Sequence, residues 1–295
     1  MSEFSYALIT AARDEEKYIK STLESVGRQT HKPAAWVIVS DGSMDDTDDI
    51  IKAFACDNPF VRFLRLEPDR SRNFQSQVYA INAGIALLDL KAYDLVGNLD
   101  ADISLAPTYY DVVLRRFEND PLLGLAGGWI YEATGINGAF VPRRFNSVAS
   151  VPHGVQLFRR RCFEEIGGYV PLPYGGPDWC AEVTARMNGW KVQTYTDLPV
   201  MHHKPSSSVE GAFRAGFRHG RMDNSLGSHP LFEFFKCCSR SAQRPFFIYA
   251  IIRLIGFLSS YLVMEKRPVS IQFVKCIRAE QINKLRSLLP DFGRR

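Results

Sequence analysis

The chain has 295 residues, 46% of them hydrophobic, enough to fill a sizeable core, which excludes a disordered chain. Its 36 Lys and Arg against 32 Asp and Glu leave a net charge of +4, too mild to argue for nucleic acid as a partner, and the basic excess gathers in the last third. Six cysteines (Cys56, Cys162, Cys180, Cys237, Cys238, Cys276) contain no Cys-x-x-Cys pair, which argues against a cysteine zinc site or a disulfide ladder and for reduced thiols.

The start, MSEFSYALITAARDEE, lacks the basic stretch and long apolar run of a secretory signal, so a cytoplasmic location is expected. YALIT (Tyr6 to Thr10) reads as a strand, and EEKYIKSTLESV places Tyr18, Ile19, Leu23 and Val26 at helical spacing. AWVIVSDGS is a second apolar run ending in an Asp-Gly turn, followed by the helical MDDTDDIIKAF, where Asp46 and Asp48 are placed to cap. FVRFLRL alternates like a strand, NFQSQVYAINAGIALL is helical, and YDLVGNL is a further buried strand. Repeated strand and helix units of this length predict an α/β fold with a mainly parallel sheet flanked by helices. Ligands bind such sheets beyond the carboxyl ends of the strands. AARDEE, SDGSMDD and DAD all fall there, so one crevice is expected to collect them.

From about residue 131 to 205 the pattern loosens, with Gly and Pro dense around PLPYGGPDW and a helix in DWCAEVTARMNGW closed by Asn188-Gly189. Later, nineteen mostly apolar residues run from Phe246 to Met264, flanked by Arg244 and by Lys266-Arg267 and interrupted by Arg253. An arginine at mid-bilayer costs about 2.5 to 3.5 kcal/mol, so a helix lying in the interface is expected rather than a span. That expectation places the chain peripherally on the inner face of the cell membrane, through residues about 244 to 268. Packing of the helix on the rest of the protein is the alternative.

Asp100-Ala101-Asp102 follows an apolar strand directly, where two carboxylates offer hard oxygen ligands for Mg²⁺ or Mn²⁺ bridged to phosphate oxygens. The same spelling at Asp46-Thr47-Asp48 shows how little the triplet means alone. Its setting adds three ordered motifs: LITAARDEEKYI, VSDGSMDDT and INAGI precede LDADIS.

With these four motifs, about the first 210 residues resemble the inverting family 2 glycosyltransferases of the GT-A (Rossmann-like) fold used in bacterial or archaeal polysaccharide assembly. The resemblance implies a metal-dependent enzyme of the hexosyltransferase class with Mn²⁺ or Mg²⁺ as cofactor. It would take a nucleotide sugar, a UDP-sugar by the family pattern, to a glycan or lipid-linked acceptor in extracellular polysaccharide synthesis. Ala11, Ala12, Arg13 and Glu15 would border the nucleotide, Asp41 the base, and Asp100 the ribose or sugar together with the metal. Asp102 would ligate the metal directly, with His203 of VMHHKPSSS favoured over His202 to complete the site, and Arg70 and Arg72 near the diphosphate. In GGPDWCAE the family's acidic pair is reduced to Asp178, the expected general base, because Pro177 replaces the glutamate. Asp178 also suits a helix cap, and Trp179 and Trp190 suit either sugar stacking or core packing.

The expected division is a catalytic domain over 1–210, with a nucleotide half to 130 and an acceptor half after it, and a helical, membrane-associating extension over 211–295. The processive Gln-x-x-Arg-Trp signature is missing, which favours one sugar per encounter. Two alternatives stay open: a nucleotide-sugar-binding protein without turnover, and a sugar nucleotidyltransferase. The second lacks its glycine-rich loop in ITAARDEE.

Overall fold

Strands β1 (Tyr6–Ala12) and β2 (Ala35–Asp41) are apolar along nearly their whole length because both faces are covered, as parallel strands roofed by helices require. Between them, α1 (Ile19–Gly27) buries Ile19, Leu23 and Val26 at the spacing read from the sequence. Helix α2 (Thr47–Asp57) leads to β3 (Val61–Leu66), an edge strand that exposes Arg62 and Arg65 and so discourages pairing with another chain. Asp46 stands at the N-cap position of α2 and Asp48 in its first turn, as the sequence predicts, but neither side chain makes the capping bond. Asp45, not Asp46 or Asp48, accepts the helix N–H, from Thr47 at 3.1 Å, and Asp48 is buried in an ion pair with Arg65.

Helix α3 (Phe74–Ile85), β4 (Leu95–Asn98), β5 (Ile103–Leu105), α4 (Tyr109–Asn119) and β6 (Leu123–Ala133) follow, then β7 (Phe140–Pro142), β8 (Leu157–Arg159), α5 (Arg160–Ile166), α6 (Pro177–Met187) and β9 (Lys191–His202). This computed structural model describes residues 2–67, 74–134, 138–144, 146–204, 211–240, 247–263 and 265–288, apart from the side chains of Phe74 and Ala212. Arg70 and Arg72 lie outside those residues. The described strands form one sheet in the order β3-β2-β1-β4-β8-β6-β9-β5, with β7 paired to β6. Pairing is parallel from β3 to β4 and again between β6 and β9, whereas β8 runs antiparallel to both its neighbours and β5 antiparallel to β9. The result is a mixed α/β sheet, mostly parallel, with buried apolar clusters on each face.

The chain divides into two compact units, Met1–Pro171 with Pro177–Ser206, and Leu172–Gly176 with Ser207–Arg295. The first holds the sheet. The second holds four helices, α7 (Ala212–Ser225), α8 (Pro230–Ser239), α9 (Ile248–Leu262) and α10 (Ile271–Leu288), packed around Leu226, Phe257, Phe273 and Ile277. At about 1.5 Å per residue, the 15 residues of α9 extend about 22 Å. No helix among the described residues is long and apolar enough to cross a membrane. Arg253 of α9 is buried, bonded to Asp223 of α7 and, through Nε at 2.8 Å, to Glu233 of α8.

Candidate active site

The polar turns after β1 and β2 are stitched to each other. Asp14 N donates to Ser43 Oγ at 3.2 Å, Met44 N to Asp14 Oδ1 at 3.0 Å, and Glu15 N to Thr47 Oγ1 at 2.8 Å. Asp14 and Gly42 both take positive φ, 53° and 66°, which turns the chain sharply as each strand ends. Arg13 Nη1 then meets Asp41 Oδ2 at 3.3 Å. Ala11, Ala12, Arg13, Glu15 and Asp41 line one cleft, joined by Ser76 and Gln77 of α3, which no motif in the sequence marks.

Asp100 and Asp102 follow β4, which pairs with β1 in register so that its end lies beside the same crevice. Asp100 Oδ1 accepts from Asn98 Nδ2 and from Gln77 Nε2, both at 3.2 Å, and lies 3.5 Å from His153 Nδ1. Its backbone N–H donates to Gly154 O at 2.9 Å, and a Cβ on Gly154 would come within 2.6 Å of Asp100 Oδ2, so a larger residue there would push the Asp100 carboxylate aside. Burial pushes Asp100 up, but the hydrogen bond and charge of His153, with Asn98 and the charge of His202, bring its pKa below the ordinary value. Burial opposes protonation of His153 and is outweighed by Asp100 and Asp178, so its pKa is raised. His153 sits in a 3-10 turn, His153–Val155, just before the short strand β8. No spacing in the sequence marks it.

The ring brought to Asp102 is that of His202, the last residue of β9, with Nε2 at 3.3 Å from Oδ2. This replaces His203 in the position expected of it. His203 gives only its backbone N–H to Asp102 O at 2.9 Å, and turns its ring to Ser104 Oγ and Phe140. Alternation along a strand sends neighbouring side chains to opposite sides, and β9 ends with His202 on the crevice side. Burial lowers the pKa of His202, and Asp102 overcomes this with its hydrogen bond and charge to leave it raised; burial depresses that of His203. Glu15 is raised by burial against the pull of Lys204 Nζ at 2.6 Å, and the charges of Asp102 and Asp100 add to the rise.

Two buried carboxylate oxygens here, Asp102 Oδ1 and Glu15 Oε2, have no hydrogen-bond partner. Such oxygens are costly in a protein interior, and a bound cation is one group that satisfies them. Among the described residues, no three His, Cys, Asp or Glu side chains gather into a closed metal cage. The donor set therefore suits a hard divalent ion with few protein ligands and several sites left for water or phosphate.

Asp178 is the second residue of α6, behind Pro177, and is half-buried near enough to His153 for its charge to be felt there. One turn on, Glu182 is buried and accepts from Val151 N at 2.7 Å and Ser150 Oγ at 3.1 Å, tying α6 to the loop that carries His153. Burial, then the charge of Asp178, raises its pKa to about 8. Trp190 donates to Glu165 Oε2 at 2.8 Å and packs over Gly124, a structural placement.

The model of the family described as Glycosyl transferase family 2 matches residues 7–170. A poly-beta-1,6-N-acetyl-D-glucosamine synthase of Staphylococcus aureus strain COL is 31% identical over 123 residues, 41% of this chain and 27% of the synthase. The same enzyme of Staphylococcus epidermidis is 30% identical over 125 residues, again with 27% of its length spanned. Among solved structures, S. aureus TarS 1-349 in complex with UDP-GlcNAc superposes with a TM-score of 0.56 at 14% identity, covering 97% of this chain and 82% of that one. GalNAc-T7 with UDP, GalNAc and Mn2+ gives 0.62 at 16% identity over 97% and 58%. The mannosyltransferase PcManGT of Pyrobaculum calidifontis, with GDP-Man and Mn2+, gives 0.55 at 15% over 97% and 80%. These structural likenesses speak to the fold. Because the family model covers more than half of its residues, the chain belongs to glycosyl transferase family 2, with the GT-A fold.

Proposed function

We propose that the protein moves a sugar from a uridine-diphosphate sugar to a hydroxyl of a glycan or lipid-linked acceptor, with inversion at the anomeric carbon, during extracellular polysaccharide assembly. The observation that carries this reading is the pair of buried, unpartnered carboxylate oxygens, Asp102 Oδ1 and Glu15 Oε2, at the same crevice as the cleft lined by Ala11, Ala12, Arg13 and Asp41. The partial match to polysaccharide synthases and the UDP-GlcNAc bound by TarS support it, and the GDP-Man bound by PcManGT supports a nucleotide-sugar donor in general.

In this reading the small side chains of Ala11 and Ala12 leave a flat wall for the base, and Asp41, steadied by Arg13, accepts from a base N–H. Asp100, held by His153, Asn98 and Gln77, accepts from the donor's sugar hydroxyls. Asp102 and Asp100, with His202 alongside, are the residues that would hold Mn²⁺ or Mg²⁺, which when bound neutralises charge on the departing diphosphate. Asp178 takes the acceptor's proton as that oxygen attacks the anomeric carbon and the bond to diphosphate breaks. One displacement inverts the centre. Pro177 costs the helix nothing at its first position, where an N–H would be unpaired in any case.

The test is nucleotide release from a panel of nucleotide sugars with Mn²⁺. Asp102→Asn and Asp178→Asn should each lower release by at least about 100-fold, the lower end for a lost electrostatic stabiliser and for a lost acid-base group respectively. Asp178→Asn keeps nucleotide affinity, whereas Asp102→Asn loses its dependence on Mn²⁺. Release at the parental rate from both variants would overturn the proposal.

A further inference from the structure

Helix α9 is turned inside out relative to a helix that faces water. Its covered arc carries Ala250, Arg253, Gly256, Phe257 and Ser260, so its single charged side chain points inward. Ile248, Ile251, Ile255, Leu258 and Leu262 recur at steps of three and four on the opposite side, about 180° from Arg253 at about 100° per residue. These five aliphatic side chains are between 47% and 84% exposed. Scattered exposed leucines mean little, whereas an uninterrupted stripe of this kind marks contact with something apolar.

The inward face is as specific as the outward one. Cβ atoms at Gly220 of α7 and Gly256 of α9 would come within 2.0 Å of Arg253 O and 2.1 Å of Phe217 O, so these two helices are in backbone contact and α9 cannot roll its stripe inward. Arg253 is held there by Asp223 and Glu233, with Lys236 Nζ completing the cluster 2.9 Å from Asp223. Helix α8, packed on α9, adds exposed Leu231, Phe234 and Phe235.

Charge selects the occupant. Residues 207–295 carry 15 Lys and Arg against 6 Asp and Glu, a net of +9, while residues 1–206 carry 21 against 26, a net of −5. Exposed Arg214, Lys266, Lys275, Lys284 and Arg286 belong to this basic unit. A second copy would bring like charge against like. An anionic bilayer answers both features, taking aliphatic side chains below its headgroups and lysine and arginine at them.

We propose that the helical unit docks on an anionic lipid surface through the outward stripe of α9 together with the exposed aromatics of α8, with α9 lying in the interface. The proposal is independent of the transfer chemistry. It is tested by sedimenting the full chain with vesicles of phosphatidylcholine alone and of a one-to-two mixture of phosphatidylglycerol and phosphatidylcholine. The parent should bind the mixed vesicles, less tightly as salt rises, and the double variant Ile255→Asp with Leu258→Asp should lose at least about tenfold in affinity, with unchanged circular dichroism in buffer. If the double variant misfolds, Leu258→Trp keeps the stripe apolar, and its fluorescence should shift blue on mixed vesicles. No binding by the parent, equal binding by the folded double variant, or no shift from the tryptophan would each overturn the proposal. A lipid-free dimer dissolved by the double variant, with vesicle binding intact, would overturn it in favour of self-association.

Discussion

His153 reaches Asp100 from a turn that the chain enters more than fifty residues later, and it does so with both its ring and its backbone neighbourhood. The ring faces Asp100 Oδ1, its carbonyl accepts from Asn98 Nδ2 at 2.9 Å, and the next residue's carbonyl takes the Asp100 N–H. It is a positioning residue for Asp100. Replacing it by alanine should lower turnover about 10- to 100-fold, the usual cost of losing such a support, while His153→Asn recovers part of it; initial rates across donor concentrations report both. Glu182 makes a different prediction. Its folded pKa of about 8 lies above the ordinary 4.5, so the native state binds the proton more tightly than the unfolded chain does. Stability contributed there is full below the ordinary value and falls as pH rises toward about 8, with Asp178 adding to the loss and Arg186 countering it. Thermal midpoints measured from acid to mildly alkaline pH should show that slope, flattened in Glu182→Gln, which keeps an oxygen for the Val151 N–H.

Among the elements, the apolar strands and amphipathic helices of the first hundred residues stand out in the sequence, whereas the eleven-residue β6 and the short β5 and β8 do not. Strands β1, β2 and β4 are buried on both faces, so they stand out as apolar runs, and α1 and α6 carry their packing faces at regular spacing. Strands β5 and β8 have three residues each and exist because distant partners pair with them, which leaves no local pattern to read. The site followed the same division. Asp41 ends one readable strand and Asp100 and Asp102 follow another, whereas His153 and Glu182 depend on contacts across the fold, and the choice between His202 and His203 turned on which residue ended β9. In the helical elements, Arg253 ties three helices together through buried charges. Arg253→Met removes one cation and leaves Asp223 and Glu233 short of a partner, so unfolding should become easier by about 3 to 5 kcal/mol, read from denaturant midpoints.

At the scale of the molecule, two units of opposite net charge, −5 and +9, share one chain. The boundary between them is crossed more than once, because Leu172–Gly176 belongs with the helices although residues on both sides belong with the sheet. That loop is firmly kept: Tyr174 Oη donates to Glu265 at 2.5 Å, its carbonyl accepts from Arg218 at 2.9 Å, and the guanidinium of Arg221 stacks on its ring at 4.5 Å. Pro177 and Asp178 come next in sequence. A shortened version ending near residue 206 would strand those five residues without their hosts and free the leading turn of α6. Anyone trimming the chain to its sheet for crystallography or engineering should therefore find Asp178 poorly seated, even where every strand has survived the cut.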